Sequence, residues 1–228
     1  MWCSMYDFRN GVHKLSWCYK VKEREFNFNG NVVRLVTVEN LNEILENLDT
    51  KYIIDGGRIP YFAELWPSSI ALSQYIISNL DVVGKRVLDL GCGLGLVGIV
   101  ASLRGAHVVF GDYETDALAF SKKNSLLNYC KNVEFLNIDW RRPPKIEPFD
   151  VIFASDIVYE DEEFLYLESF LKECLRGFAI VAEPNRKIAQ RFFETLKQNG
   201  FSSEKIEDIS ISYDGYYHTI AIHCVSVR

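Results

Sequence analysis

The residues best suited to chemistry lie at 87–98, where a short apolar run ends in Asp89 and is followed by Gly91, Gly93 and Gly95. An apolar helical pattern comes next. A strand, a glycine turn and a helix in this order form a nucleotide-binding corner of an α/β sheet. The glycines allow the backbone to approach a ligand closely and to adopt positive φ values. The start of the helix offers unpaired N–H groups.

Two ligands fit this corner. Residues 93–98 match the dinucleotide pattern G-x-G-x-x-G, whereas residues 89–95 match D-x-G-x-G-x-G, with an acid before the first glycine. The Asp89 carboxylate would repel a pyrophosphate, but it could hold the amino acid end of S-adenosylmethionine, which carries an ammonium group and no phosphate. Asp112 follows the next apolar run at the spacing of a carboxylate that binds ribose hydroxyls, and both ligands contain a ribose. A third interpretation, a tight turn without a ligand, stays open.

Runs rich in Val, Ile and Phe alternate with helical patterns through most of the chain, which predicts a buried parallel sheet with helices on both faces. In such sheets, ligands bind beyond the carboxyl ends of the strands, so we expect the functional residues on the loops that follow them. The predicted strands are 86–90, 106–111, 133–138, 150–154 and 179–182; the predicted helices are 94–104, 115–128, 162–175 and 186–199, with an earlier helix capped by Ser68 or Ser69.

The pattern changes at both ends of the chain. Residues 204–212 and 216–227 are strand-like and are separated by a turn signal, which predicts an antiparallel hairpin. A dinucleotide dehydrogenase would continue with another βαβ unit instead. Residues 19–38 alternate around a polar turn and predict a second hairpin, which a short helix follows. We therefore divide the chain into an N-terminal extension over 1–58 and a main domain over 59–228.

Four segments together resemble the class I S-adenosylmethionine-dependent methyltransferases, and within them the family 16 group that contains many protein-lysine methyltransferases. They are the aromatic-rich residues 60–69, the glycine motif at 89–95, the pair Asp139-Trp140 and residues 155–159, which contain D-x-x-Y. The resemblance runs from about residue 60 to the end of the chain. It implies an α/β fold with a doubly wound, mostly parallel seven-stranded sheet that is Rossmann-like and ends in the antiparallel hairpin.

The resemblance also implies roles for individual residues. Asp156 is expected to orient an incoming amine, and Tyr159 to form a wall of its channel, because both lie just past the fourth predicted strand. Trp66, Asp139 and Asp156 each have a structural alternative, as a core residue that anchors a helix, a helix cap and a turn cap, respectively. The expected S-adenosylmethionine-binding residues are Trp66, Asp89, Gly91, Gly93, Gly95, Asp112, Asp139, Trp140 and Ser155.

Composition restricts the partners and the compartment. The 228 residues carry a formal net charge of −6, which argues against general affinity for nucleic acid. No apolar run approaches the ~20 residues that span a membrane, and the first residues do not resemble a signal peptide. The six cysteines are scattered without a C-x-x-C pair, so we expect free thiols in the cytoplasm and no metal site.

Taken together, the residues and the resemblance predict an S-adenosylmethionine-dependent N-methyltransferase that acts on a lysine of a protein. The lysine acceptor comes from the resemblance alone, and D-x-x-Y is short enough to occur in enzymes that methylate small-molecule amines. An acceptor of that kind is the alternative. An NAD-dependent oxidoreductase and a non-catalytic binding module are the two remaining hypotheses.

Overall fold

The structure is a computed structural model that describes residues 2–3, 18–47 and 59–228. Its strands in chain order are β1 (Trp2–Cys3), β2 (Cys18–Tyr19), β3 (Val21–Phe28), β4 (Asn31–Val38), β5 (Arg86–Leu90), β6 (His107–Asp112), β7 (Val133–Asn137), β8 (Phe149–Ser155), β9 (Leu175–Glu183), β10 (Phe201–Tyr213) and β11 (Tyr216–Val227). Its α-helices are α1 (Leu41–Glu46), α2 (Pro67–Asn79), α3 (Leu96–Leu103), α4 (Thr115–Leu127), α5 (Phe164–Cys174) and α6 (Lys187–Gln198).

One seven-stranded sheet organises the main domain, with the strand order β10-β11-β9-β8-β5-β6-β7. Strands β5 to β9 pair in parallel, and β11 pairs antiparallel with both β9 and β10. The order reverses between β5 and β8, which is the position where open α/β sheets bind ligands. The predicted fold class, including the C-terminal antiparallel hairpin, is confirmed.

Side chains of the parallel strands alternate between two hydrophobic clusters, one on each face of the sheet. Val87 and Phe153 belong to the first cluster, which also includes residues of α2, α3, α4 and the β3–β4 hairpin. Their sequence neighbours Leu88 and Ile152 belong to the second, which includes residues of α5 and α6. Because both faces are covered, these strands are apolar along most of their length.

Two predicted boundaries shift for reasons of backbone geometry. Helix α3 begins at Leu96 and not at 94, because Gly95 has a φ of +86° and cannot be part of the helix. Strand β9 begins at Leu175, four residues before the expected start at 179. Gly177 permits this early start, since a Cβ there would lie 2.3 Å from the Asp150 carbonyl oxygen of β8.

The N-terminal β3–β4 hairpin is attached to helix α4 by two asparagine side chains one helical turn apart. Asn124 accepts a hydrogen bond from the Val36 amide (2.7 Å) and donates to the Val36 carbonyl (3.1 Å). Asn128 makes the same two contacts with Arg34, at 2.9 and 2.6 Å. The two side-chain amides therefore form hydrogen bonds with backbone N–H and C=O groups at the free edge of β4, as a neighbouring strand would. The domain boundary expected at residue 58 lies outside the described residues.

Asn124 and Tyr19 also connect this extension to the predicted site. The Asn124 amide donates a further hydrogen bond to the Leu94 carbonyl in the glycine loop (2.9 Å). Tyr19 packs edge-on against Phe62 and Phe120 and donates a hydrogen bond to Asp116. Among the described residues, no helix is long and apolar enough to cross a membrane.

We expect Asn124→Ala to lower the free energy of unfolding by about 2–4 kcal/mol, because it leaves three buried backbone groups without partners. Urea unfolding measures this change. Asn47→Ala is the matched control: that side chain is exposed and, among the described residues, donates a hydrogen bond to the Glu43 carbonyl, so its removal should cost less than about 0.5 kcal/mol. Equal losses in the two variants would contradict the role given to Asn124.

Candidate active site

A cavity of about 700 Å³ opens beyond the carboxyl ends of β5, β6, β7 and β8. Ten of the eleven site residues predicted from the sequence line it, which places residues separated by up to 93 positions around one space. They are Trp66, Gly91, Gly93, Gly95, Asp112, Asp139, Trp140, Ser155, Asp156 and Tyr159. The exception is Asp89.

The glycine loop between β5 and α3 forms the floor of the cavity. Gly91 has a φ of +68°, and a Cβ there would lie 2.8 Å from the Ile157 side chain and 4.0 Å from the Trp140 ring. Ile157 and Trp140 both line the cavity, and the missing Cβ lets the Ile157 side chain pack directly against the loop. The loop thus lines the cavity with backbone that carries no side chain at Gly91, Gly93 and Gly95.

Asp89 lies behind the glycine loop. Asp89 is only 2% exposed, and its Oδ2 accepts a hydrogen bond from the Gly98 amide at 2.8 Å. Gly98 lies in the first turn of α3, so the carboxylate satisfies one of the unpaired N–H groups there. The sequence analysis expected Asp89 to contact the cofactor. In the structure, Asp89 instead caps α3 beneath the glycine loop and does not line the cavity.

The pKa of Asp89 is raised to about 7, chiefly by burial; the Gly98 hydrogen bond lowers it, and the nearby charge of Asp112 makes a smaller contribution in the raising direction. Burial also raises the pKa of Asp112, to about 6. In contrast to Asp89, Asp112 lines the cavity. Its two oxygens accept hydrogen bonds from the Gly93 and Glu114 amides, each at 2.9 Å, which fixes the carboxyl beside the glycine loop.

Asp139 and Trp140 follow β7 and are held by side chains that the sequence analysis did not single out. Arg141 donates two parallel hydrogen bonds to the Asp139 carboxylate (2.8 and 2.9 Å), a geometry that fixes both groups. The Trp140 indole N–H donates to Glu163. The Arg141 guanidinium also lies 5.4 Å from the centre of the Tyr113 ring. These contacts build one wall of the cavity from two loops and the region before α5.

Asp156 is 8% exposed and has a φ of +60°, a left-handed conformation that is uncommon for a residue other than glycine. Its Oδ2 accepts a hydrogen bond from the Ser68 hydroxyl at 2.7 Å, and its Oδ1 is paired with the Arg186 guanidinium. The neighbouring Ser155 ends β8 and lines the cavity beside it. The predicted helix cap at Ser68 is wrong, because α2 begins at Pro67 and the Ser68 hydroxyl contacts Asp156 instead.

Aromatic side chains surround the mouth of the cavity. The Tyr61 ring centre lies 6.4 Å from that of Trp66 and 6.1 Å from that of Tyr159, and the Trp66 indole N–H donates to the Tyr61 carbonyl. Trp66 is partly exposed and lines the cavity, which favours the site interpretation over a core anchor. Tyr61 is a further lining residue that the sequence analysis did not single out.

Comparison with known proteins agrees with this geometry. A family model described as lysine methyltransferase matches residues 56–199. Protein N-lysine methyltransferase METTL21A of Danio rerio is 33% identical over 67% of this chain and 74% of its own length. The electron transfer flavoprotein beta subunit lysine methyltransferase of the same fish is 32% identical over 56% of this chain, and the match spans 51% of that relative.

The solved structures show the same fold. Magnesium protoporphyrin IX methyltransferase from Synechocystis, determined with bound SAH, has a TM-score of 0.57 and 16% sequence identity. The match covers 82% of this chain and 92% of that one.

The pKa of Asp89 makes stability depend on pH. Between its ordinary value of 3.8 and about 7, the folded protein holds a proton that the unfolded chain has lost, so the free energy of unfolding falls as the pH rises. Asn is neutral throughout this range. We expect Asp89→Asn to become more stable relative to wild type between pH 4.5 and 7.5, by on the order of 2 kcal/mol.

Urea unfolding of cofactor-free wild type and Asp89→Asn across this pH range measures the difference. Both proteins retain Asp112, so the titration of that carboxyl contributes to both. The control Asp81→Asn changes a surface carboxyl and should stay within about 0.5 kcal/mol of wild type. A constant difference between Asp89→Asn and wild type would show that the Asp89 carboxyl titrates alike in the folded and unfolded states.

Proposed function

The chain belongs to the lysine methyltransferase family, and from this premise we propose that it transfers a methyl group from S-adenosylmethionine to the side-chain amine of a lysine in a protein substrate. The glycine loop is accordingly a methyltransferase loop, and the dinucleotide interpretation of residues 93–98 is set aside. The protein acceptor follows from the family and from relatives whose names describe lysine methylation.

One observation supports this function above the others: the glycine loop and the Asp156 carboxylate face the same cavity. A cofactor seated on the loop and an amine beside Asp156 would then meet without any rearrangement of the sheet. A non-catalytic binding module would need the glycine loop, but it would not need a carboxylate such as Asp156 in the same cavity. Because transfer to carbon mainly requires the reacting groups to be aligned, a fixed cavity of this kind contributes directly to the rate.

The residues present fit S-adenosylmethionine. The glycine loop lines the cavity with backbone that carries no side chain at Gly91, Gly93 and Gly95, which suits the amino acid end, and Asp112 offers a carboxylate for the ribose hydroxyls. Asp139 and Trp140 follow β7 and line the cavity, which supports a contact with the adenine. When bound, S-adenosylmethionine supplies a methyl group that passes to the lysine nitrogen as the carbon–sulfur bond breaks.

Asp156 and Tyr159 act on the acceptor side. Ser68 holds one oxygen of Asp156, so the carboxylate keeps a fixed direction in which its remaining lone pairs can accept a hydrogen bond from the amine. The rings of Tyr61, Trp66 and Tyr159 form an aromatic passage that suits the alkyl chain of a lysine. Contact between these rings and the lysine side chain would also exclude water.

A cytoplasmic location remains a prediction. It is supported by the free thiols of Cys92, Cys130, Cys174 and Cys224, the cysteines whose state the structure describes.

Asp112→Asn tests the ribose contact. The variant still accepts the Gly93 hydrogen bond but loses the charge, so we expect the Kd for S-adenosylhomocysteine at pH 8 to rise by about 10–100-fold. In wild type, the affinity should fall as the pH drops below about 6, because the Asp112 carboxyl takes up a proton there. Isothermal titration calorimetry measures both effects, with Glu173→Gln on the exposed side of α5 as the control. A pH-independent wild-type affinity would contradict this assignment.

Transfer itself is tested with S-adenosylmethionine labelled in its methyl group, incubated in lysate from the source cell with wild type, Asp156→Ala or Glu173→Gln. We expect label in one protein band with wild type and Glu173→Gln and a loss of at least about 100-fold with Asp156→Ala, and mass spectrometry should place the methyl group on lysine. Label confined to small molecules would favour the small-molecule amine acceptor. Binding of the cofactor without any labelling would favour the non-catalytic module.

A further inference from the structure

The Asp156 carboxylate is paired with a cation that the sequence analysis did not assign to the reaction. We propose that Arg186 is a positioning residue for methyl transfer: its guanidinium balances the charge of Asp156, so that the cavity accepts the substrate lysine as a neutral amine. This inference rests on the proposed function and deepens it.

The backbone around Arg186 is built to hold this side chain in place. Arg186 follows β9, its amide donates to the buried Glu183 carboxylate at 2.7 Å, and the preceding Asn185 has a φ of +56°. The Asn185 side chain is in turn anchored by the Asp208 carboxylate (3.1 Å) and the Thr219 carbonyl (3.3 Å). A strained residue fixed by several neighbours is typical of a functional site.

Asp156 is held in the same manner on the adjacent strand. Its left-handed backbone is fixed by a hydrogen bond from its amide to the Ala182 carbonyl of β9, at 2.9 Å. The two strained residues, Asp156 and Asn185, therefore bring a carboxylate and a guanidinium together from the ends of neighbouring strands. The Arg186 side chain is about one third exposed and lines the cavity, so the pair faces the space where the amine would enter.

The other charged groups near this pair are acidic or engaged elsewhere. Glu160 lines the cavity from the same loop as Asp156, and further carboxyl groups line it from other elements: Glu64, Asp112, Glu114 and Glu163. Glu183 lies behind the pair, with its Oε1 3.6 Å from the His223 imidazole. A second arginine in the wall, Arg141, is bound by Asp139. Arg186 is thus the cation in direct contact with Asp156.

The charge balance matters because an ammonium group has no lone pair with which to attack a methyl group. An uncompensated carboxylate within about 4–6 Å would stabilise the ammonium form and raise the pKa of the amine by about 1–3 units. With Arg186 in place, Asp156 can still accept a hydrogen bond from the amine, but the pair carries no net charge. The amine then loses its proton to water at little extra cost, and no strong general base is needed.

Sinefungin tests this without an identified protein substrate, because it carries an amine where S-adenosylmethionine carries its methylsulfonium group. S-adenosylhomocysteine has no charge at that position and serves as the reference ligand. The ratio of the Kd of S-adenosylhomocysteine to the Kd of sinefungin, measured at pH 7 by calorimetry, reports how well the cavity accepts an ammonium group. We expect Arg186→Gln to raise this ratio by about tenfold, which corresponds to about one pKa unit, and Arg186→Lys to keep it within about twofold of wild type.

Thermal unfolding of the three proteins checks that the variants fold, and the reference ligand corrects for general damage to the site. Equal ratios in wild type, Arg186→Gln and Arg186→Lys would overturn the inference while leaving the proposed function intact. A ratio that falls in Arg186→Gln would also overturn it. If wild type bound neither compound, the proposed function would fail, and this inference would fail with it.

Discussion

The candidate site depends on one buried hydrogen bond, from the Gly98 amide in the first turn of α3 to the Asp89 carboxylate at the end of β5. It fixes where the helix begins relative to the strand, and hence the path of the glycine loop that joins them. Gly98 itself must lack a side chain, because a Cβ there would lie 2.4 Å from the Phe110 ring of β6. The loop that suits a cofactor is thus a consequence of how strand and helix pack beneath it.

The N-terminal extension is part of the same arrangement. Asn124 contacts both the edge of β4 and the Leu94 carbonyl, so the hairpin and the glycine loop share one buried side chain. Tyr19 adds a second link, since it packs against Phe62, whose carbonyl would lie 3.3 Å from a Cβ at Gly93. The extension is therefore linked to the glycine loop through Asn124 and Phe62, so we expect a change in the hairpin to alter the position of the loop.

The sequence predicted the features that depend on local pattern. Strand β5 and the C-terminal strand β11 have the expected bounds, and alternation with helices predicted the parallel sheet whose carboxyl ends gather Asp112, Asp139 and Asp156. Contacts between distant positions left no comparable signal. Ser68 and Asp156 are 88 residues apart, and nothing in a serine before a helix distinguishes a cap from a partner across the site. Asp89 is a different case. The D-x-G-x-G-x-G motif singled out this residue, but it did not predict that the carboxylate lies beneath the glycine loop and contacts the Gly98 amide.

The strained backbone of the site is concentrated on its acceptor side. Gly91, Gly93 and Gly95 adopt positive φ values at little cost, whereas Asp156 and Asn185 do so as residues with side chains. Such conformations persist only where the surroundings over-determine them, and here Ala182, Asp208 and Thr219 supply the constraints. Glycine would remove the strain at either position, but it would also remove the carboxylate or the amide that holds the loop. At these two positions the fold thus keeps a left-handed backbone at a residue whose side chain lines the cavity or holds the loop next to a residue that does.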